Sequence, residues 1–424
     1  MPRALALDLL DLVLHQHRPL DEAFAGHPRL AALEPRDRAF ARTLAATTLR
    51  RLGQIDDLAG RCLDRPLPRR AARARDLLRL GVAQLLFLDL PAHAAVHATV
   101  ALATGGDLAP YRGLVNGVLR RLDREGRDWP AAQDAPRLNT PDWLWDSWVG
   151  AYGEATARQI AAAHLAEPPL DLTVKDDPQG WAQRLGARVL PTGSLRLEVK
   201  GPIDALPGFA EGAWWVQDAA AALPARLLGD VAGREVIDLC AAPGGKTAQL
   251  AAAGARVTAV DRADKRLARL AANLDRLGLA ARTVAADAAR WRPDAPADAV
   301  LLDAPCSATG TLRRHPDVAR LKSAAEVDKL AGVQARLLDA AAAMVRPGGV
   351  LVYGTCSLQP QEGPGRVEAF LAGHPDFARR PVAADEVPGL AAAVTRAGDL
   401  RTLPGHWAGD GGLDGFYAAR LVRA

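Results

Sequence analysis

Cys306, in Asp303-Ala304-Pro305-Cys306-Ser307, and Cys356, in Thr355-Cys356-Ser357, each follow a short apolar run that reads as a buried strand. A third cysteine, Cys240, opens a turn of small residues that runs through Ala241, Ala242, Pro243, Gly244 and Gly245 to Lys246. Three of the four cysteines in 424 residues thus stand at predicted strand ends of one region, where α/β enzymes keep their reactive groups. A thiolate in such a place is a strong nucleophile near neutral pH and also a good leaving group. With no Cys-x-x-Cys pair, the set argues against a disulfide framework and a common zinc site, and no metal is expected. Cys62 reads as a buried helical residue, and Cys240 as a small apolar lining of its turn.

The turn after Asp238-Leu239 lets a ligand approach the backbone closely, because its residues are small and its glycines leave φ unrestricted. Acids stand beside it: Asp261 ends the second strand, Asp287 follows the third and Asp303 ends the fourth. An acid at the end of the second strand can accept both ribose hydroxyls of an adenosine-containing cofactor. The bland alternative for Asp261 and Asp287 is a solvated strand-end carboxylate. The chain lacks both Gly-x-Gly-x-x-Gly and Gly-x-x-x-x-Gly-Lys-Ser/Thr at this turn, so nothing cradles a pyrophosphate. S-adenosylmethionine, which has none, fits better than NAD or a nucleoside triphosphate.

Two cysteines and an acid in one pocket match a particular substrate chemistry. Cytosine is electron-poor at C6 and unreactive at C5, so methylating C5 requires a nucleophile to add at C6 and push electron density onto C5. One thiolate can add and later leave, a second cysteine can help remove the C5 proton or release the product, and a carboxylic acid can bond the N3 and amine edge. Cys306, Cys356 and Asp303 provide these groups. The chemistry alone does not say which cysteine attacks.

The elements that must position these residues are legible from periodicity. Val236 to Leu239, Arg256 to Val260, Arg282 to Ala285, Ala299 to Leu302 and Val350 to Tyr353 read as strands, separated by helices such as Asp264 to Leu277 and Ala325 to Met344. This alternation over residues 213–424 predicts a Rossmann-like α/β domain with a parallel sheet covered on both faces. Residues 1–125 read as an all-α helical bundle, with Leu5, Leu9, Leu12 and Val13 at helical spacing. Residues 126–212 read as a polar linker from Asp123 to about Pro141 followed by a small α/β module. In that module Leu170 to Val174 and Leu195 to Val199 flank a helix near Trp181, and a helix opens at Pro141-Asp142-Trp143-Leu144-Trp145. Its tryptophans read as anchors of that helix, with stacking on bases as the alternative.

Charge adds one clue. Residues 1–130 hold 20 Arg and no Lys against 15 acids, which is more than the whole chain's net charge of +4. A basic domain beside a near-neutral one suggests a polyanionic partner, although a solvated Arg-rich surface or a compositional bias explains the charge equally well. No stretch has the apolar length of a membrane span, and the opening residues do not form a signal-peptide core, so a cytoplasmic protein with no membrane partner is expected.

Asp238 to Thr247, Asp303-Ala-Pro-Cys-Ser-Ala-Thr-Gly310, Arg313-Arg314-His315-Pro316-Asp317 and Tyr353-Gly-Thr-Cys-Ser357 closely resemble the RNA 5-methylcytosine methyltransferases. Pro91-Ala-His-Ala-Ala-Val96 and Gly113-Leu-Val-Asn-Gly-Val-Leu-Arg-Arg121 resemble a NusB-type RNA-binding domain. That fusion resembles the RsmB (Sun/Fmu) family of bacterial 16S ribosomal RNA cytosine-C5 methyltransferases over nearly the whole chain.

The resemblance implies that Cys356 bonds C6 and Cys306 assists release. It also implies that Cys240, Ala241, Ala242, Pro243, Gly244, Gly245, Lys246, Asp261, Asp287 and Asp303 line an S-adenosylmethionine pocket, with Arg266 a further contact. It implies a monomer acting on free or partly assembled 16S RNA. Two positions depart from the pattern. Gln361-Glu362-Gly363-Pro364 stands where relatives carry a run such as Glu-Glu-Asn, and Thr173-Val174-Lys175 stands where they often carry Arg-x-Asn. The rivals are the same chemistry on transfer RNA, an antitermination-like RNA-binding protein with a vestigial methyltransferase domain, and a DNA methyltransferase.

Overall fold

The computed structural model describes residues 1–199 and 201–424. Packing groups the chain into two units, one of Met1–Ala166 with Leu312–Ser323, the other of Glu167–Thr311 with Ala324–Ala424.

The first unit is helical. Helices Pro2–Leu14, Pro35–Arg50, Leu52–Gly60, Ala72–Leu86, Ala92–Ala101 and Arg112–Glu125 bury one apolar face each, with Leu5, Leu9, Leu44, Ile55, Leu77 and Leu119 fully enclosed. Gly81 lets two of them approach closely, since a Cβ there would stand 2.7 Å from Leu119 Cδ1. The polar stretch read as a linker is folded. It forms short helices Trp129–Ala132 and Ala135–Asn139 and spends its polar groups internally, with Gln133 donating to Asp57 at 2.7 Å and Asn139 accepting from Gln54 N at 3.1 Å. Cys62 is not inside a helix but just past Gly60, half-buried. In helix Asp142–Tyr152, Trp145 and Trp148 are buried and anchor it.

The Arg313 to Asp317 motif belongs to this unit. Arg313 is buried, its carbonyl accepts from Arg50 at 2.9 Å, and Asp317 accepts from Leu20 N at 2.9 Å. Nearby His164 stacks at a tilt on Trp148, 5.4 Å between ring centres. Burial, with the Arg313 and Arg50 charges adding, pushes the His164 imidazolium down to about 3. A histidine depressed in the fold favours folding above its unfolded value of about 6.5, and this contribution is lost as pH falls toward the folded value. Replacing His164 by Leu is therefore expected to flatten the acid limb of stability between about pH 6.5 and 3, a span of a few kcal/mol in order of magnitude, as read by urea unfolding across pH.

Among its described residues the second unit carries twelve strands: β1 Leu170–Val174, β2 Arg188–Val189, β3 Leu195–Leu197, β4 Trp214–Val216, β5 Glu235–Leu239, β6 Arg256–Asp261, β7 Arg282–Ala285, β8 Ala297–Asp303, β9 Val345–Thr355, β10 Phe377–Arg379, β11 Leu400–Thr402 and β12 Phe416–Arg423. The first four form a small antiparallel sheet in the order β2-β3-β1-β4. The others form the main sheet, β10-β12-β9-β8-β5-β6-β7, with β11 beside β12. From β9 to β7 the strands are parallel, as their apolar runs predict. The sheet as a whole is mixed rather than purely parallel, because β12 inserts antiparallel against β9 and carries β10 and β11 on its other side. The chain runs outward through β5, β6 and β7, then returns to place β8 on the other side of β5. That reversal makes the carboxyl ends of β5 and β8 the switch point where such sheets bind ligands.

Candidate active site

The turn that follows β5 is built for close approach. Cys240 has φ of 60° and Gly244 of 101°, and helix Gly245–Ala252 starts at once, so the first-turn N–H groups of that helix lack intrahelical partners. A Cβ at Gly244 would lie 2.8 Å from Leu270 Cγ, which excludes larger residues. Burial, then the neighbouring Asp303, Asp261 and Asp238, push the Cys240 thiol up to about 12. It stays protonated, as an apolar lining should.

Asp261, buried at the end of β6, accepts from Ala242 N at 3.2 Å and Ala263 N at 3.1 Å, one bond to each oxygen. Each oxygen keeps an acceptor position for a hydroxyl. Arg266 donates to the Ala242 carbonyl and lies 3.6 Å from Asp261, so it buttresses the turn. Asp287 accepts from Ala289 N at 3.0 Å and is largely exposed.

The parallel pair β8 and β9 places Asp303 opposite Gly354, two residues before Cys356. Asp303 takes an ion pair from Lys246 at 2.7 Å, and the ammonium also sits 5.1 Å from the centre of the Phe416 ring. Burial alone would pull Lys246 down, but Asp303, Asp238 and Cys356 outweigh it and hold the ammonium above its ordinary value. Behind it Asp238 is wholly buried; desolvation, opposed by a 2.6 Å bond from Thr247, pushes its carboxyl up to about 7.

The two cysteine sulfurs stand 3.5 Å apart. Cys306 shares a hydrogen bond with Cys356, and that bond, followed by burial and the charges of Cys356 and Glu362, raises its thiol well above the usual range. The structure thus gathers Cys240 to Lys246, Asp261, Asp303, Cys306 and Cys356 at one end of one sheet, with Asp287 at its rim.

The family model of 16S rRNA methyltransferase RsmB/F matches residues 225–422, and that of the NusB family matches residues 1–124. Ribosomal RNA small subunit methyltransferase B of Salmonella typhi is 36% identical over 99% of this chain and 98% of its own length. The chain belongs to the RsmB/F family. Among solved structures, PH0851 superposes over 100% of this chain and 99% of its own, with TM-score 0.76 and 23% identity. A methyltransferase homologue from Pyrococcus horikoshii covers 66% of this chain and 94% of its own, with TM-score 0.55 and 25% identity.

Local packing accounts for both departures. At Gly363 a Cβ would meet Arg401 Nη2 at 2.6 Å. Here the buried Arg401 fills that space and donates to the Ser357 carbonyl beside Cys356. At the other departure, Thr173 bonds Gln217 at 2.8 Å and Lys175 bonds the Leu277 carbonyl at 2.8 Å, so both are committed internally. Sequence reading missed Arg401, which lies 45 residues from Cys356 with no local motif, and saw in Glu362 only part of a departure.

Proposed function

We propose that this chain, an S-adenosylmethionine-dependent ribosomal RNA methyltransferase, methylates C5 of a cytidine in 16S RNA through a covalent bond from Cys356 to C6. The observation that carries this reading is the pair of sulfurs 3.5 Å apart beside the Lys246–Asp303 ion pair. The donor set suits the cofactor: a strand-end carboxylate with a free position on each oxygen for a ribose diol, and no phosphate cradle. Asp261 would hold the ribose, Asp287 the adenine edge and the Cys240 to Lys246 turn the amino-acid portion. When bound, the cofactor supplies an electrophilic methyl group on a sulfonium.

Cys356 adds to C6 as the thiolate while a proton passes from the Lys246 ammonium through Asp303 to N3, so the ring electrons collect at C5. After C5 has taken the methyl group, the Cys306 thiol gives its proton to the departing Cys356 sulfur and takes the C5 proton in exchange, which restores the C5–C6 double bond, and N3 returns its proton through Asp303. Cys306 stands 3.5 Å from the departing sulfur and assists this release. Bisulfite sequencing of RNA from cells with and without the gene tests the assignment. A 16S cytidine losing its protection is expected, whereas an unchanged 16S profile with an altered transfer RNA would transfer the reading to that substrate.

The RNA needs a basic surface, and the helical unit has one. A groove of about 670 Å³ lies between helices Ala92–Ala101 and Arg112–Glu125, lined on one side by His93 and His97 and on the other by Arg112, Asn116 and Arg120. Its acid, Asp123, is paired with Arg127. Replacing Arg112 and Arg120 by Ala is expected to raise the KM for RNA about tenfold at unchanged kcat, and to lower the slope of log Kd against log salt by about 0.7 to 0.9 per lost phosphate contact. Filter binding across salt reads this out.

A further inference from the structure

Beneath the two sulfurs lies a second pairing. Ser307 follows Cys306 and Ser357 follows Cys356, and their hydroxyl oxygens stand 3.1 Å apart, both side chains fully buried. One carboxylate holds both. Glu362 Oε2 accepts from Ser307 Oγ and Ser357 Oγ at 2.5 Å each, while Oε1 accepts from Ser307 N at 2.9 Å and Gln334 Nε2 at 3.0 Å. Glu362 is itself fully enclosed. Its backbone carbonyl accepts from Thr355 Oγ1 at 3.1 Å and Tyr353 OH at 2.8 Å, and Gln334 also donates to the Pro305 carbonyl at 3.0 Å.

We propose that Glu362 is a positioning residue of the methyl-transfer reaction, a single buried carboxylate that clamps Ser307 to Ser357 and so fixes the separation of the Cys306 and Cys356 sulfurs. Four donors converge on two oxygens, which fills the acceptor capacity of a carboxylate. Bonds to a charged acceptor are the strong kind, and enclosing them removes competition from water. The Pro-Cys-Ser and Thr-Cys-Ser turns come from different strand ends, 50 residues apart, and nothing in either turn alone sets the distance between them. The β8–β9 register and the bonds from Gly310 N to the Cys356 carbonyl at 2.9 Å and from Leu358 N to Thr309 Oγ1 at 3.0 Å bring the turns together, and the carboxylate ties the residues directly after the two cysteines. Chemistry that passes from one sulfur to the other within a turnover needs this distance held, because about 1 Å of misplacement is enough to cost on the order of a hundredfold in rate.

The inference rests on the reading that both thiols act in turnover, and two measurements separate the failure of either. Glu362→Gln keeps the size of the side chain but offers one acceptor oxygen and an NH₂ in place of the second. It is expected to lower kcat about a hundredfold while the KM for RNA and the Kd for S-adenosylmethionine stay within about twofold. The second measurement does not need RNA. Diamide, an azo oxidant, takes two electrons and two protons from the thiols, becoming a hydrazine as the Cys306–Cys356 disulfide forms. Mass spectrometry of the linked peptides gives the rate. Glu362→Gln should slow that disulfide about tenfold, since exchange depends on sulfur geometry and access. A carboxylate that merely staples the fold would lower the melting temperature and leave both kcat and the disulfide rate of the folded protein unchanged, and that result overturns the proposal. If Glu362→Gln does not fold, Ser357→Ala decides: a smaller loss in kcat with a slower disulfide supports the clamp, and wild-type values for both refute it. Wild-type protein that forms no adduct with 5-fluorocytidine RNA would instead remove the two-thiol reading, leaving the disulfide rate to judge the clamp.

Discussion

Cys356→Ser is expected to abolish both methyl transfer and the covalent trap with 5-fluorocytidine RNA, a loss on the order of 10⁴-fold or more because the reaction has no other route to activate C5. Cys306→Ser is expected to do something different. It should attack and methylate once, then hold its product, so that ordinary RNA accumulates as a band shifted on a denaturing gel while multiple turnover collapses. The asymmetry follows from the two proposed roles. With sulfurs 3.5 Å apart the two thiols can exchange a proton directly, and the Thr-Cys-Ser pattern of the family assigns the attack to Cys356 and the release to Cys306. A serine at 356 offers a hydroxyl too weakly acidic to add to C6, whereas a serine at 306 leaves the attacker intact and removes the group that eases it away. Should Cys356→Ser still trap RNA while Cys306→Ser does not, the roles are exchanged.

What was readable in the chain was what depends on local pattern. The parallel strands announce themselves as short apolar runs bounded by turn residues, and the acids and cysteines sit within a few residues of those boundaries, so their arrival at one end of a sheet follows from topology alone. Strand β12 escaped because Phe416–Arg423 earns its place by pairing with β9, more than 60 residues earlier, and its antiparallel direction is decided by that partner. The polar run after Asp123 looked like a linker because its hydrogen-bonding residues are indistinguishable from solvated ones until Gln54 and Asp57 are seen beside them. Glu362 and Arg401 illustrate the same limit at the site. A glutamate two residues after a proline has no signature of burial, and only the fold reveals that four donors surround it.

Asp303→Asn is expected to lower the rate by about 10² to 10⁴, the range of a lost acid at a reacting base. The diagnostic feature is which step fails. An asparagine still fills the space at the end of β8 and can accept from Lys246, but it cannot supply a proton to N3 as the thiolate adds to C6. Adduct formation with 5-fluorocytidine RNA should therefore slow in parallel with methyl transfer, while S-adenosylmethionine binding by calorimetry changes little. If Asp303 served the cofactor alone, the variant would bind S-adenosylmethionine weakly and form the adduct at the wild-type rate. Lys246 supplies the cross-check. Its ammonium lies 2.7 Å from Asp303 and is held charged by Asp303, with Asp238 and Cys356 adding, so Lys246→Met removes support from the acid and the nucleophile together. Because the two residues act as a unit, the double variant should lose much less than the product of the single losses. Independent losses would separate Lys246 from the proton on N3 and leave it to the turn that follows β5.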